Sequence, residues 1–149
     1  MFRGQFTHSI DAKGRISLPA RFRDVLIRDG EVRCVVTPAL FDPCLHVYPL
    51  GAWEAFEQRI AELPTMDPHV VRFRRLYVSA AVECELDKVH RVLVPQDLRE
   101  RVDLTKEALW AGVGKYMELW SKPRFDQALE ITAEEQEAFK LAVVEKIRV

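Results

Sequence analysis

Asp11-Ala12-Lys13-Gly14-Arg15-Ile16-Ser17-Leu18-Pro19 is answered 76 positions later by Asp87-Lys88-Val89-His90-Arg91-Val92-Leu93-Val94-Pro95. The acid, the arginine, two apolar residues and the proline recur in step. Two copies at so long a period indicate a duplicated unit, because a solenoid needs at least about three repeats to cover its faces.

Each copy reads the same way. A strand-like run, Gln5 to Ile10 or Ala81 to Leu86, leads to the acid, and a second run starts at the arginine. The residues between have turn chemistry, so the local reading is a hairpin or a strand corner. The carboxylates of Asp11 and Asp87 can accept bonds from amides a few residues on, which favours a bend. Gly14 is free to take positive φ, whereas its counterpart His90 reaches that region only at a cost. A different or strained second turn is therefore expected, with Arg91 aimed less reproducibly than Arg15. Pro19 and Pro95 suit the first turn of a helix, and Phe22, Val25 and Leu26, like Leu98 and Val102, follow at helical spacing.

Further along, Asp29-Gly30 signals a turn and Val32 to Thr37 a strand that Pro38 breaks. Cys44 to Tyr48 can pair with that strand antiparallel. Trp53, Phe56, Ile60 and Leu63 then mark an amphipathic helix. Pro64 stops it, Asp67 can cap the next helix with Pro68 at its first position, and that helix runs to about Ser79. Its Arg72, Arg74 and Arg75 fit a solvated or acid-paired face better than a phosphate contact. In the second half Ala108 to Gly112 and Met117 to Trp120 answer the earlier strand pair, and a helix with Phe125 and Leu129 answers the earlier helix. Gly112-Val113-Gly114-Lys115 reads as a hairpin turn, since no strand-glycine-helix order with a downstream Lys-Ser/Thr makes it a phosphate cradle. Ala133 to Ile147 is a helix with a Phe139, Val143 and Ile147 stripe that suits packing or subunit contact. The expected organisation is a first half over 1–63, a linker helix over 64–80, a second half over 81–132 and a C-terminal helix over 133–149.

Composition narrows the classes. The 149 residues are 30% charged and 48% apolar, an ordinary globular balance. No apolar run approaches the roughly 18 to 20 residues that span a bilayer. Met1-Phe2-Arg3-Gly4 is followed by polar residues rather than a secretory core, so a cytoplasmic location away from membranes is expected. Cys34, Cys44 and Cys84 include no Cys-x-x-Cys pair and read as reduced thiols. Cys44 and His46 could share a strand face, but no second ligand pair stands at suitable spacing, so no metal site is expected. The net charge of −1 is unevenly spread. Arg3, Lys13, Arg15, Arg21, Arg23 and Arg28 outnumber Asp11 and Asp24 in the first 28 residues, while Glu130, Glu134, Glu135 and Glu137 make the tail acidic.

The opening Met1-Phe2-Arg3-Gly4, the two Asp-x-x-x-Arg turns and Asp42-Pro43-Cys44-Leu45-His46-Val47-Tyr48-Pro49 resemble the MraZ family of bacterial transcriptional regulators. The likeness covers roughly residues 1–129. It implies an α+β chain in which duplicated β-hairpin/helix units form an AbrB-like swapped-hairpin β-barrel flanked by helices. It also implies closed rings of several subunits, nucleoid association, and binding to short repeated sites in the promoter of the chain's own division and cell-wall gene cluster.

The recurrent polar residues are one acid and one arginine per turn, which supply neither a nucleophile with a base nor paired catalytic carboxylates. No enzymatic activity, cofactor or small-molecule substrate is expected. An arginine on a turn can carry a planar fork to guanine O6 and N7, while lysines hold phosphates. The expected contacts to double-stranded DNA are Arg3, Lys13, Arg15, Lys88 and Arg91, with Asp11, Gly14, Asp87 and His90 shaping the turns. The same pairs read equally well as internal salt bridges that lock each turn. An oligomeric scaffold with incidental DNA contact is the alternative.

Overall fold

The computed structural model describes residues 1–28 and 30–149, which leaves Asp29 of the expected Asp29-Gly30 turn outside the described residues. In chain order the elements are β1 (Phe2–Ser9), β2 (Arg15–Ser17), α1 (Ala20–Leu26), β3 (Arg33–Pro38), β4 (Leu45–Pro49), α2 (Leu50–Ala61) and α3 (Pro68–Phe73). A π-helical turn over Arg74–Val78 continues α3. Then come β5 (Val82–Glu85), β6 (Arg91–Leu93), α4 (Gln96–Arg101), β7 (Glu107–Gly114), β8 (Met117–Ser121), α5 (Lys122–Ala128) and α6 (Ala133–Lys146).

Proline sets three of the strand-to-helix junctions. Pro19, Pro49 and Pro95 are the N-caps of α1, α2 and α4, each extended with φ near −55° and ψ near 145°. Their missing amides coincide with a helix start, where that donor has no partner to lose. Pro19 and Pro95 thus stand one residue earlier than expected, at the cap rather than inside the first turn. Asp67 caps α3 by accepting from the amides of His69 and Val70, with Pro68 following as expected. In the π-helical turn Ser79 N donates to Arg74 O at 2.8 Å, and the carbonyl of Tyr77 takes the buried Thr37 hydroxyl at 2.7 Å. Arg74 uses Nη2 to cap the Ile60 carbonyl at the end of α2, which makes it structural, while Arg72 and Arg75 are exposed.

The strands form a six-stranded antiparallel sheet in the order β1-β7-β8-β4-β3-β5 and a separate two-stranded ladder, β2-β6. The order is a palindrome under exchange of the two halves. It shows what the sequence could not: β1 adds to the sheet of the second half, along all eight residues from Phe2↔Gly114 to Ser9↔Glu107, and β5 adds to the first half beside β3. The seam joining the halves is β4-β8, with His46 opposite Glu118 at its centre. The β3-β4 and β7-β8 pairs are the hairpins that the sequence implies.

The structure decides one reading the sequence left open and corrects another. Of the hairpin and the strand corner, the corner forms, and the run before each acid does not pair along its length with the run after it. At Asp11 the chain turns a corner, and only the isolated bridge Ile10↔Ile16 links β1 to β2. Nor do the described strands close into a barrel: β1 and β5 end the large sheet, and three-residue strands that have turned that corner form their own ladder instead of bridging the edges. The architecture is α+β with antiparallel sheets.

The main core mixes both halves, with pseudo-equivalent pairs Ile16 and Val92, Leu18 and Val94, Phe22 and Leu98, and Leu26 and Val102 all buried around Trp110. Burying a side chain of this size stabilises by about 1.5–3 kcal/mol, so neither half retains its core without the other's strand and helix. Tyr48, Trp53 and Tyr77 with Phe56, Phe73 and Tyr116 build a second, aromatic cluster under α2 and α3. The C-terminal helix forms where the sequence places it. Its capping box between Thr132 and Glu135 is present, but α6 has no buried residue, and Phe139 and Ile147 are exposed.

Candidate nucleic-acid interface

Each Asp-x-x-x-Arg segment folds into the same knot of hydrogen bonds. Asp11 Oδ1 accepts from the amides of Lys13 (3.0 Å) and Arg15 (2.9 Å), and Asp11 Oδ2 accepts from Arg15 Nε at 2.7 Å. Asp87 does the same with the amides of Val89 (3.0 Å) and Arg91 (2.8 Å) and with Arg91 Nε at 2.7 Å. The amides of Gly14 and His90 donate back to the carbonyls of Asp11 and Asp87 at 3.0 and 2.9 Å. These bonds, first those from the arginine amides, hold Asp11 at about 2 and Asp87 below the ordinary carboxylate range. Both acids therefore remain anionic partners of the arginines throughout the neutral range.

The second turn is not a different turn. His90 takes φ 61°, in the same left-handed half of conformational space as Gly14 at φ 91°, and closes the same bonds. Arg15 and Arg91 make the same bonds to their own aspartates and are similarly half-buried, at 33% and 32% exposure. Each arginine spends its Nε on its own aspartate, which leaves the Nη end of the fork outside that bond.

The two turns interlock. Val94 N donates to Gly14 O at 2.9 Å, and Leu18 N donates to His90 O at 3.1 Å, one reciprocal pair across the pseudo-twofold relation. The β2-β6 register places Arg15 opposite Leu93 and Ser17 opposite Arg91, and Arg91 Nη1 lies 4.0 Å from Asp11 Oδ2. Residues 76 apart in sequence thus share one tip, with Lys13 and Lys88 exposed on its two loops. Arg3 does not join them. It lies near the start of β1, opposite Val113, roughly 20 Å along the strand from the corner at about 3.3 Å per residue.

Arg99 is a residue that sequence reasoning missed. From α4 its Nε donates to Val94 O at 3.0 Å, and its guanidinium packs over Gly14, where an added Cβ would stand 2.5 Å from Nε. Its signal was the same offset: Arg23 is its counterpart in the first half. A groove of about 370 Å³ beside the first turn is lined by Asp11, Arg99, Glu100 and Asp103 among others, too acidic for a phosphate seat.

Comparison with known proteins agrees with this two-fold construction. The family model described as MraZ protein, antitoxin-like, matches twice, over residues 1–76 and 77–143. The chain is similar to the transcriptional regulator MraZ of Moorella thermoacetica, 40% identical over 145 residues covering 97% of this chain and 98% of the relative. It is 46% identical over 122 residues, 82% of both chains, to the protein of that name from Desulfitobacterium hafniense (strain DSM 10664 / DCB-2). It is 47% identical over 126 residues to that of Pelotomaculum thermopropionicum, covering 85% and 83% of the two chains. With both halves matched and identities of this size along nearly its whole length, the chain belongs to the MraZ family, one of transcriptional regulators and not of enzymes.

Proposed function

We propose that the chain is a sequence-specific double-stranded DNA-binding regulator that reads short repeated sites with its two interlocked turns. The observation carrying this reading is the juxtaposition of Arg15 and Arg91 on one tip, each anchored through Nε. An anchored guanidinium loses little freedom on binding, and its remaining donors match guanine O6 and N7 in the major groove. Lys13 and Lys88 hold flanking phosphates, fixing register without reading sequence. Asp11, Gly14, Asp87 and His90 shape the tip, and Arg3 lies outside it. The exchange of β1 and β5 and the short β2-β6 ladder support the AbrB-like swapped-hairpin reading of this tip.

Assembly supplies the affinity. A net charge of −1 gives no general attraction to phosphate, so one tip binds weakly and with strong salt dependence. The exposed Phe139, Leu141 and Val144 of α6, with Ile147 at its C-cap, support a subunit contact and, with the family resemblance, a closed homo-oligomeric ring. Within a ring the second encounter is intramolecular, and avidity exceeds single-site affinity by about 10² to 10⁴. The sites are those in the promoter of the chain's own division and cell-wall gene cluster, which makes the protein cytoplasmic and nucleoid-associated. Among the described residues no helix is long and apolar enough to cross a membrane.

A footprint on the region upstream of the chain's own gene, with particle mass measured in parallel, tests the reading. Duplexes carrying one protected site, three in phase at about 10–10.5 bp or a multiple, and three shifted by half a turn complete it. The in-phase duplex should bind far more tightly than the others. A monomeric mass with equal affinity for all three would sink the ring reading, and the lack of any footprint would sink the DNA reading.

A further inference from the structure

We propose that Cys44, His46 and Glu118 form a binding site for one borderline-soft divalent cation, of which zinc is the type, at the seam between the two halves. Glu118 is the ligand that sequence spacing could not place, since it stands 72 positions beyond His46 and meets it only through the β4-β8 register. The candidate ligand atoms of the three residues lie within 4.8 Å of one another. Cys44 is fully buried just before β4, and its backbone is fixed by a bond from its amide to Asp42 O and another from Ala39 N to its carbonyl, both 2.9 Å.

The spacings suit an ion better than direct contact. His46 Nε2 lies 3.7 Å from Glu118 Oε2, and Cys44 Sγ lies 3.9 Å from that same oxygen. A charge-assisted N–H···O bond would close to about 2.7–2.9 Å. Bonds of about 2.0–2.1 Å to nitrogen and oxygen and about 2.3 Å to sulfur, at tetrahedral angles, separate such ligands by roughly 3.3–3.6 Å, within a few tenths of the two spacings to Glu118, while Cys44 and His46, whose ligand atoms lie within 4.8 Å, would draw together on the ion.

The surrounding groups are those that hold metal ligands in place. His46 Nδ1 lies 2.6 Å from Tyr77 Oη, and Tyr77 Oη lies 2.6 Å from Tyr48 Oη. With the proton on Nδ1 donated to Tyr77, and that hydroxyl donating to Tyr48, Nε2 keeps its lone pair toward Glu118. The Trp120 indole donates to Glu118 Oε1 at 3.1 Å, leaving Oε2 for the ion. His46 also helps line a cavity of about 210 Å³ with Asp42, Tyr48 and Tyr77. On binding, the thiol proton of Cys44 passes to solvent, and water completes the shell of three protein ligands.

Because Cys44 and His46 come from the first half and Glu118 from the second, the ion would staple the seam. Cobalt(II) added to the full-length reduced protein tests this. One equivalent should give a thiolate-to-cobalt charge-transfer band with the intense visible bands of a four-coordinate site, and zinc should displace it. Cys44→Ser should remove the charge-transfer band, Glu118→Gln should weaken binding at least about tenfold, and Tyr77→Phe about 10–100-fold, each variant retaining its cooperative melt. If the serine variant fails to fold, Glu118→Gln decides. A folded wild type without the charge-transfer band, or binding unchanged in the folded Cys44→Ser or Glu118→Gln protein, overturns the site.

Discussion

Gly14→Ala is the substitution whose cost the structure defines most closely. Gly14 sits at φ 91°, beyond the region where an L-residue is comfortable, and an added Cβ would lie 2.5 Å from Arg99 Nε and 2.6 Å from its Cζ. A left-handed backbone costs an alanine about 1–2 kcal/mol. Loss of unfolded-state freedom on replacing glycine returns about 0.4–1 kcal/mol. Arg99 must also swing away and give up its bond to the Val94 carbonyl, a further loss of about 0.5–1.5 kcal/mol. The net is about 2 kcal/mol, or a fall in Tm of about 4–8 °C for a chain of this size. Thermal melts followed by circular dichroism measure it, and a cycle with Arg99→Ala apportions it. With Arg99 truncated, the cost of Gly14→Ala should drop by about 0.5–1.5 kcal/mol. His90→Gly, which relieves a residue at φ 61°, should be neutral or stabilising. Additivity of Gly14→Ala and Arg99→Ala within about 0.3–0.5 kcal/mol would refute the claim that Arg99 closes over the turn.

Gly112→Ala tests the strand exchange, because its Cβ would stand 2.4 Å from Arg3 N on the backbone of β1, which has no flexible end to move; a loss of about 1–3 kcal/mol in a denaturant titration is expected. Acid should loosen the tip. The folded-state depression of Asp11 to about 2 and of Asp87 in the same direction means that their stabilisation is complete above the ordinary carboxylate range and is lost as pH falls toward 2, so melts taken downward from about pH 5 should show it. In Asp11→Asn/Asp87→Asn this part of the acid dependence should vanish.

Much of the fold was legible because local rules and tertiary structure agreed. The 76-residue offset marked both turns, Pro19 and Pro95 marked both following helices to within a residue, and the β3-β4 and β7-β8 hairpins followed from short loops between apolar runs. The strand-like run from Gln5 to Ile10 was legible too, but a run marks a strand and not whose sheet it joins. The pairing of Phe2 with Gly114 spans most of the chain and has no local signature. The same limit hid the meeting of His46 with Glu118. The candidate site residues Arg15 and Arg91 were legible from the repeat, whereas their shared tip required the β2-β6 ladder, and Arg99 entered only through the space it takes above Gly14. Of the two outcomes that His90 left open, a different turn or a strained one, the structure takes the strained one: the bonds that its turn makes hold it at φ 61°.

The central claim is that Arg15 and Arg91 form one DNA-reading tip. The most direct measurement is a pair of binding titrations at fixed salt, on a duplex carrying the footprinted site and on an unrelated duplex, for the parent and for Arg15→Ala/Arg91→Ala. Each arginine that reads a base should contribute about 1–3 kcal/mol of discrimination, so the double variant should bind both duplexes alike while still folding cooperatively. A folded double variant that kept the parent's preference for the specific duplex would contradict the account, and the two arginines would then serve only to lock their turns.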